Sequence, residues 1–205
     1  MSTNLTSAGV LKEAFTKKVK SKNRDVKKME TKKTANIPEE MYLPNGLHGY
    51  FNLEAAKKCA KIQNKTILLS FMSNKSQKYK KMNLKVFRNP TVIEIVKECF
   101  VVLVLCVNDK IKLPAKEGYR SKFNGKLIKT IGAENTDYQY TKFFNTIQPF
   151  YVIIDRKENR ISDPKGYDLN VNNFITFLEN GIRSFKAEKE IQEIVEEKKE
   201  LQEVN

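Results

Sequence analysis

Val101-Val-Leu-Val-Leu-Cys-Val107 is apolar at every position. A strand with one face in water alternates apolar and polar residues. A run that is apolar throughout and rich in β-branched side chains belongs in the middle of a sheet covered on both faces. This segment therefore requires cover above and below it, and the flanking sequence supplies it. Leu53 to Gln63 reads as a helix, with Leu53, Ala56, Cys59 and Ala60 near helical spacing and Asn64-Lys65 as its stop. Thr66-Ile-Leu-Leu-Ser-Phe71 is a short buried strand, Ser76 to Phe87 a helix, and Pro90 opens another helix holding Val92, Ile93, Val96 and Cys99. Residues 108–130 contain Lys and Gly, show no clear periodicity, and read as an excursion. A helix over roughly 133–144 follows, and Gln148-Pro149 leads into the strand Phe150-Tyr-Val-Ile-Ile154. Asp155 to Arg160 is a polar turn, and Ile161 begins a short edge strand ending near Pro164. Residues 170–184 form a helix with Val171, Phe174, Ile175, Phe177 and Leu178 inward. This alternation implies an α/β chain with a central mixed sheet and helices on both faces.

Length and charge divide the chain. Its 205 residues fit one ordinary domain plus tails. Pro38 and the turn Pro44-Asn45-Gly46 mark the domain entrance. Residues 1–36 read as a basic, flexible arm, 37–185 as the domain, and 186–205 as a charged C-terminal helix. The whole chain carries 38 Lys and Arg against 24 Asp and Glu, a formal charge of +14. Residues 1–34 hold ten basic and three acidic residues, whereas 186–205 hold four and seven. Such an excess attracts nucleic acid, an anionic surface or an acidic protein, and composition does not choose among them. Lys17, Lys18, Lys20 and Lys22 are the arm's candidate contacts. Val10, Leu11, Ala14 and Phe15 would line one face of a short basic helix, but a solvated arm is the favoured reading. In the tail, Ile191, Ile194 or Val195, and Leu201 form a thin apolar stripe suited to a partner, a second copy or the chain's own domain.

Several chemistries lack their residues. Cys59, Cys99 and Cys106 form no CxxC pair and no metal-ligand spacing, so they read as core thiols. His48 is the sole histidine, which leaves a metal cluster or a Ser-His-Asp triad without partners. No P-loop, GxGxxG or HExxH occurs, and no cofactor is expected. The start of the sequence has no apolar h-region, and no stretch approaches the ~18 apolar residues of a membrane span. The expectation is a soluble protein, cytoplasmic or within a soluble assembly, and periplasmic only if exported by other means.

The element order, with a proline directly before the third major strand, resembles the thioredoxin-like family. Within it, the wording resembles the C-terminal reductase domain of the bacterial thiol:disulfide interchange protein DsbD. The matching stretches are Gly49-Tyr-Phe-Asn-Leu-Glu-Ala-Ala-Lys57, Asn64 to Phe71, Lys81-Met82 with Val86-Phe87, and Val107-Asn-Asp-Lys110 with Leu113-Pro114. They continue through Lys129-Thr-Ile-Gly132, Tyr138-Gln139, Gln148 to Val152 and Pro164-Lys-Gly-Tyr-Asp168, covering about residues 45–185. The resemblance implies a thioredoxin-like fold, a cis peptide bond before Pro149, and a CxxC whose second cysteine stands three residues before a Met. Counted back from Met82, those positions fall on Tyr79 and Ser76, in the stretch Ser76-Gln-Lys-Tyr79. A reductase needs a low-pKa thiolate at the helix start and a second thiol to resolve the mixed disulfide. Serine and tyrosine supply neither, so Ser76, Tyr79, Gln148 and Pro149 are expected to form a degenerate active site, and no enzymatic activity of the family type is expected.

Serine has a structural use there as a helix N-cap, and Tyr79, Met82 and Val86 follow at helical spacing. The neighbouring stretch is basic: Lys75, Lys78, Lys80, Lys81, Lys85 and Arg88, with no acid among them. Lysines at a helix start oppose the helix dipole, which favours an anionic partner there; a merely solvated basic face is the competing reading. In redox-active relatives the loop at the cis-proline offers backbone groups to an extended peptide. Here, shaping of the loop alone is the preferred reading. The expected function is a redox-inactive scaffold or adaptor with protein partners in a larger assembly. The alternatives are a thiol-based regulator or reductase-system subunit, and a non-specific nucleic-acid binder acting through the arm.

Overall fold

A computed structural model of the chain describes residues 40–43 and 46–203. The arm over 1–36, with Lys17, Lys18, Lys20 and Lys22, lies outside the described residues, as do Pro38, Pro44 and Asn45. The elements are β1 (Glu40–Leu43), β2 (Leu47–Tyr50), α1 (Leu53–Gln63), β3 (Thr66–Met72), α2 (Gln77–Lys85) and α3 (Pro90–Cys99). They continue as β4 (Phe100–Cys106), β5 (Tyr119–Arg120), β6 (Leu127–Ile128), α4 (Ile131–Phe143), β7 (Phe150–Ile154) and α5 (Val171–Glu203).

The caps are local and explicit. The Asn52 side chain accepts from Ala55 N–H at 3.0 Å to start α1, and Asn64 ends it in the left-handed region at φ 52°. Asn89 accepts from Thr91 and Val92 N–H ahead of Pro90, whose missing N–H costs nothing in the first turn.

The main sheet runs β1-β2-β4-β3-β7. β2 and β3 lie parallel to β4, and β7 runs antiparallel to β3. Strand alternation sorts the apolar runs between two cores. Leu68, Phe100, Val102, Val104, Tyr151 and Ile153 face one side, packed with residues of α2, α3 and α5. Ile67, Leu69, Val101, Leu103, Leu105 and Val152 face the other, against Ala56 and Ala60 of α1 and Tyr138 of α4. The central strand is thus covered on both faces, as its composition requires.

Four segments differ from the sequence expectation. Residues 40–50, read only as the domain entrance, hold the antiparallel strands β1 and β2. Residues 108–130 hold the β5–β6 ribbon, with Ser121 N–H donating to Lys126 O at 2.9 Å and Gly125 turning at φ 69°. Tyr119 Oη donates to Asp137 Oδ2 at 3.0 Å and Ser121 Oγ to Asp137 Oδ1, tying the ribbon to α4. Strands of two residues are too short to show a period. The expected edge strand from Ile161 is instead a pair of isolated bridges, Arg160 to Ile154 and Lys165 to Tyr151, because Pro164 between them offers no N–H. Finally, the helix expected over 170–184 runs without interruption to Glu203, so the charged tail continues it. Phe174, Phe177 and Leu178 are buried as expected, while Val171 and Ile175 are half-buried at the core margin.

Gly132 fixes how α4 meets the sheet. A Cβ there would stand 2.5 Å from both Asp109 N and Asp109 O, so only glycine lets the first turn lie against the chain leaving β4.

Candidate functional site

β3 delivers the chain to α2 at the sheet end where β7 begins, since Phe71 pairs with Phe150. The Gln148–Pro149 peptide immediately before β7 is cis. At the helix start Ser76 is the N-cap, its Oγ accepting from Tyr79 N–H at 3.3 Å while its carbonyl accepts from Lys80 N–H at 3.1 Å. Met82 and Val86 are fully buried under the helix. Tyr79 is half-buried, and burial pushes its phenol above the ordinary range, against the hydrogen bond from Asn83; Cys106 is the nearby charge that adds to the rise.

Beneath this turn lies a cavity of about 30 Å³ lined by Tyr79, Asn83, Leu47, Leu68, Ser70 and Tyr151, room for about one water. Tyr151 is completely buried, and its phenol pKa is held well above normal by desolvation and then by Tyr79. The space beneath the helix start is thus walled mainly by apolar and phenolic side chains, with Asn83 and Ser70 among them.

On the outer side, Lys75, Lys78, Lys80, Lys81, Lys85 and Arg88 are all exposed. None of the six forms an ion pair with a described residue. The Lys78 ammonium stands 5.7 Å from the centre of the Tyr167 ring, a cation–π contact reaching the segment after β7. No acid occupies the first turn of α2.

The cysteines correct an expectation. None is fully buried; all three are half-exposed free thiols. Cys59 lies one step off the face of α1 that buries Ala56 and Ala60, and its sulfur accepts from Gln63 Nε2 at 3.0 Å. Cys99 ends α3, and burial raises its thiol pKa. Cys106 ends β4, where the strand emerges from its helical cover, and its thiol donates to Asn108 Oδ1 at 3.1 Å.

Sequence reasoning missed Gln139. This residue of α4 is wholly buried, donates to Ile147 O at 2.9 Å and accepts from Gln148 Nε2 at 3.0 Å, so it holds the loop before Pro149. The only signal was a polar residue on the inner face of a helix, where Asn135 and Asp137 are buried as well. A shallow groove of about 730 Å³ lies away from α2, between residues 160–165 and α5, lined by groups such as Arg160, Asn173 and Asn180. It holds none of the candidate site residues read from the sequence. Among the described residues no three His, Cys, Asp or Glu gather, and no helix is long and apolar enough to cross a membrane.

No family model matches the chain, and no curated protein matches it. Among solved structures, the chain is similar to a DsbH oxidoreductase at a TM-score of 0.48 and 13% identity, covering 80% of this chain and 96% of that one. It is also similar to the C-terminal domain of Neisseria meningitidis DsbD. The oxidised form gives a TM-score of 0.43 at 16% identity over 62% of this chain and 90% of that one. The reduced form gives 0.42 at 16% identity over 63% and 93%.

Proposed function

We propose that this chain is a redox-inactive thioredoxin-like protein, with the CxxC lost, that serves as a scaffold or adaptor in a larger assembly and contacts acidic partners through the outer face of α2. The observation that carries the reading is the helix start itself. Disulfide exchange requires a thiolate there and a second thiol one turn on, because electrons pass only through sulfur. Ser76 uses its hydroxyl to cap the helix, and Tyr79 walls the small cavity beneath it. What the same helix presents outward is cationic charge free of described acidic partners, which suits an acidic protein surface.

Titration of the full chain with polyglutamate at low salt tests the contact surface. Lys78→Glu, Lys81→Glu and Lys85→Glu together should weaken binding by about tenfold or more, a few tenths to one kcal/mol for each reversed exposed charge. Unchanged binding would remove α2 as the contact. One observation favours a second reading, a thiol-based regulator: Cys106 is a half-exposed free thiol at the end of β4. Fast labelling of Cys106 in the native state would support that reading, and labelling only after denaturation would remove it.

A further inference from the structure

We propose that the distal half of α5 from one copy of this chain docks on the β5–β6 ribbon and the end of α4 of a second copy. Three independent features of the chain point to this pairing.

The first is an unpartnered stripe. α5 is 33 residues long, which at 1.5 Å per residue is about 50 Å. Its first turns are anchored by Phe174, Phe177 and Leu178, but from Lys189 to Glu197 every residue is exposed. Ile191, Ile194 and Val195 stand 61%, 51% and 46% exposed at i, i+3 and i+4 spacing, one apolar face of a helix. Single exposed aliphatics are ordinary, but three on one face of an otherwise charged helix form a contact surface.

The second is a matching patch. Phe123 stacks on Tyr140 with ring centres 3.3 Å apart, and Tyr140 meets Phe144 edge-on at 6.3 Å. Phe123, Phe144 and Leu127 are 46%, 80% and 48% exposed, and Ile147, three residues beyond Phe144, is 60% exposed. Within β5–β6, Leu127 pairs with Arg120 on the outer side, while Ile128 is buried on the inner side. Half of this patch is aliphatic, which suits the apolar face of a helix better than the flat rings of nucleic-acid bases.

The third is charge. Residues 186–205 carry seven Glu against four Lys, whereas residues 109–130 carry seven Lys and Arg against two acids. An acidic helix with an apolar stripe and a basic surface with an apolar centre are complementary in both respects.

The two surfaces of one molecule cannot meet. α5 packs on the sheet face shared with α2 and α3, whereas α4 covers the opposite face with α1. No Gly or Pro follows Gly181 within α5, so the helix has no point at which to turn back. A second copy is the occupant that supplies the stripe. Reciprocal docking closes a two-fold dimer. The proposal uses a surface separate from the outer face of α2, so either can fail alone.

Light scattering coupled to size exclusion, over a concentration series of the full chain, tests it. The tail variant is Ile191→Lys with Ile194→Lys. The patch variant is Leu127→Glu with Phe144→Asn, asparagine being chosen because Phe144 sits at φ 51°. Circular dichroism verifies that both variants are folded. The wild-type chain should associate, and each variant alone should dissociate with affinity weakened about tenfold or more. An equimolar mixture should regain a two-chain species, since one intact tail then meets one intact patch. A wild-type chain that stays monomeric to hundreds of micromolar overturns the proposal. So does a patch variant that still associates, or a mixture that fails to reassociate; both would mean the tails pair with each other or not at all.

Discussion

Ser76→Ala removes a single oxygen from the helix start and isolates what that oxygen does. In the native protein Ser76 Oγ accepts from Tyr79 N–H at 3.3 Å, a long bond at a half-buried site. Loss of a serine N-cap costs about 1 kcal/mol, and the length of this bond places it at the lower half of the usual range of about 0.5–2 kcal/mol. For a chain of this size that corresponds to a fall in Tm of about 2–4 °C. Ser76→Asp should move the other way. A carboxylate retains the cap and adds a charge that the helix dipole favours by about 0.3–1 kcal/mol, with six exposed cationic side chains on and around α2 to reinforce it. Urea and thermal unfolding of the three proteins, followed by circular dichroism, should rank Asp above Ser above Ala. If Ala matches Ser in stability, the serine is not there as a cap, and the structural explanation for its place in the site fails.

Gly132→Ala should cost more than about 2 kcal/mol, because the added methyl meets backbone atoms of Asp109 at 2.5 Å and neither side can yield cheaply; equal unfolding midpoints would contradict this. Gln139→Leu should cost about 2 kcal/mol by stripping Ile147 O and Gln148 of their buried partner; a change below about 0.5 kcal/mol would mean the loop before Pro149 is held otherwise. Asp168 has its pKa lowered to about 2, chiefly by the Lys165 ammonium and then by Asn170 N–H and Asn173. A carboxyl depressed in the folded state adds stability that is present above its unfolded pKa of about 3.9 and is lost as pH falls through about 2. Asp168→Asn should flatten the stability profile in that acid window, and an unchanged profile would show that the pair with Lys165 contributes nothing.

How much the sequence disclosed depended on the range over which each signal acts. The strands β3, β4 and β7 were legible because seven, seven and five consecutive residues carry their own β signal. Asn64 as a helix stop and Pro90 as a helix start are local devices, readable in place. The β5–β6 ribbon was not legible, since its anchor is Asp137, sixteen residues beyond Ser121 and on another element. The tail was divided from the preceding helix by its change of charge, yet charge does not break a helix, and no Gly or Pro lies there to do so. Ser76 and Tyr79 come from the sequence only by counting back from Met82, as the resemblance implies. Gln139 was hidden because α4 buries three polar side chains, which defeats an apolar period. The cysteines were placed too deep because residue type gives an average burial and not the angle at which a helix meets its sheet.

The central claim concerns what the start of α2 can do, and turnover measures it most directly. Purified chain should be incubated with a dithiol reductant and a protein disulfide substrate, and the rate compared with the uncatalysed reaction and with a working thioredoxin. With Ser76 and Tyr79 at the helix start, the rate should match the uncatalysed one, and Ser76→Cys with Tyr79→Cys should raise it. Turnover by the native chain comparable to thioredoxin would contradict the account.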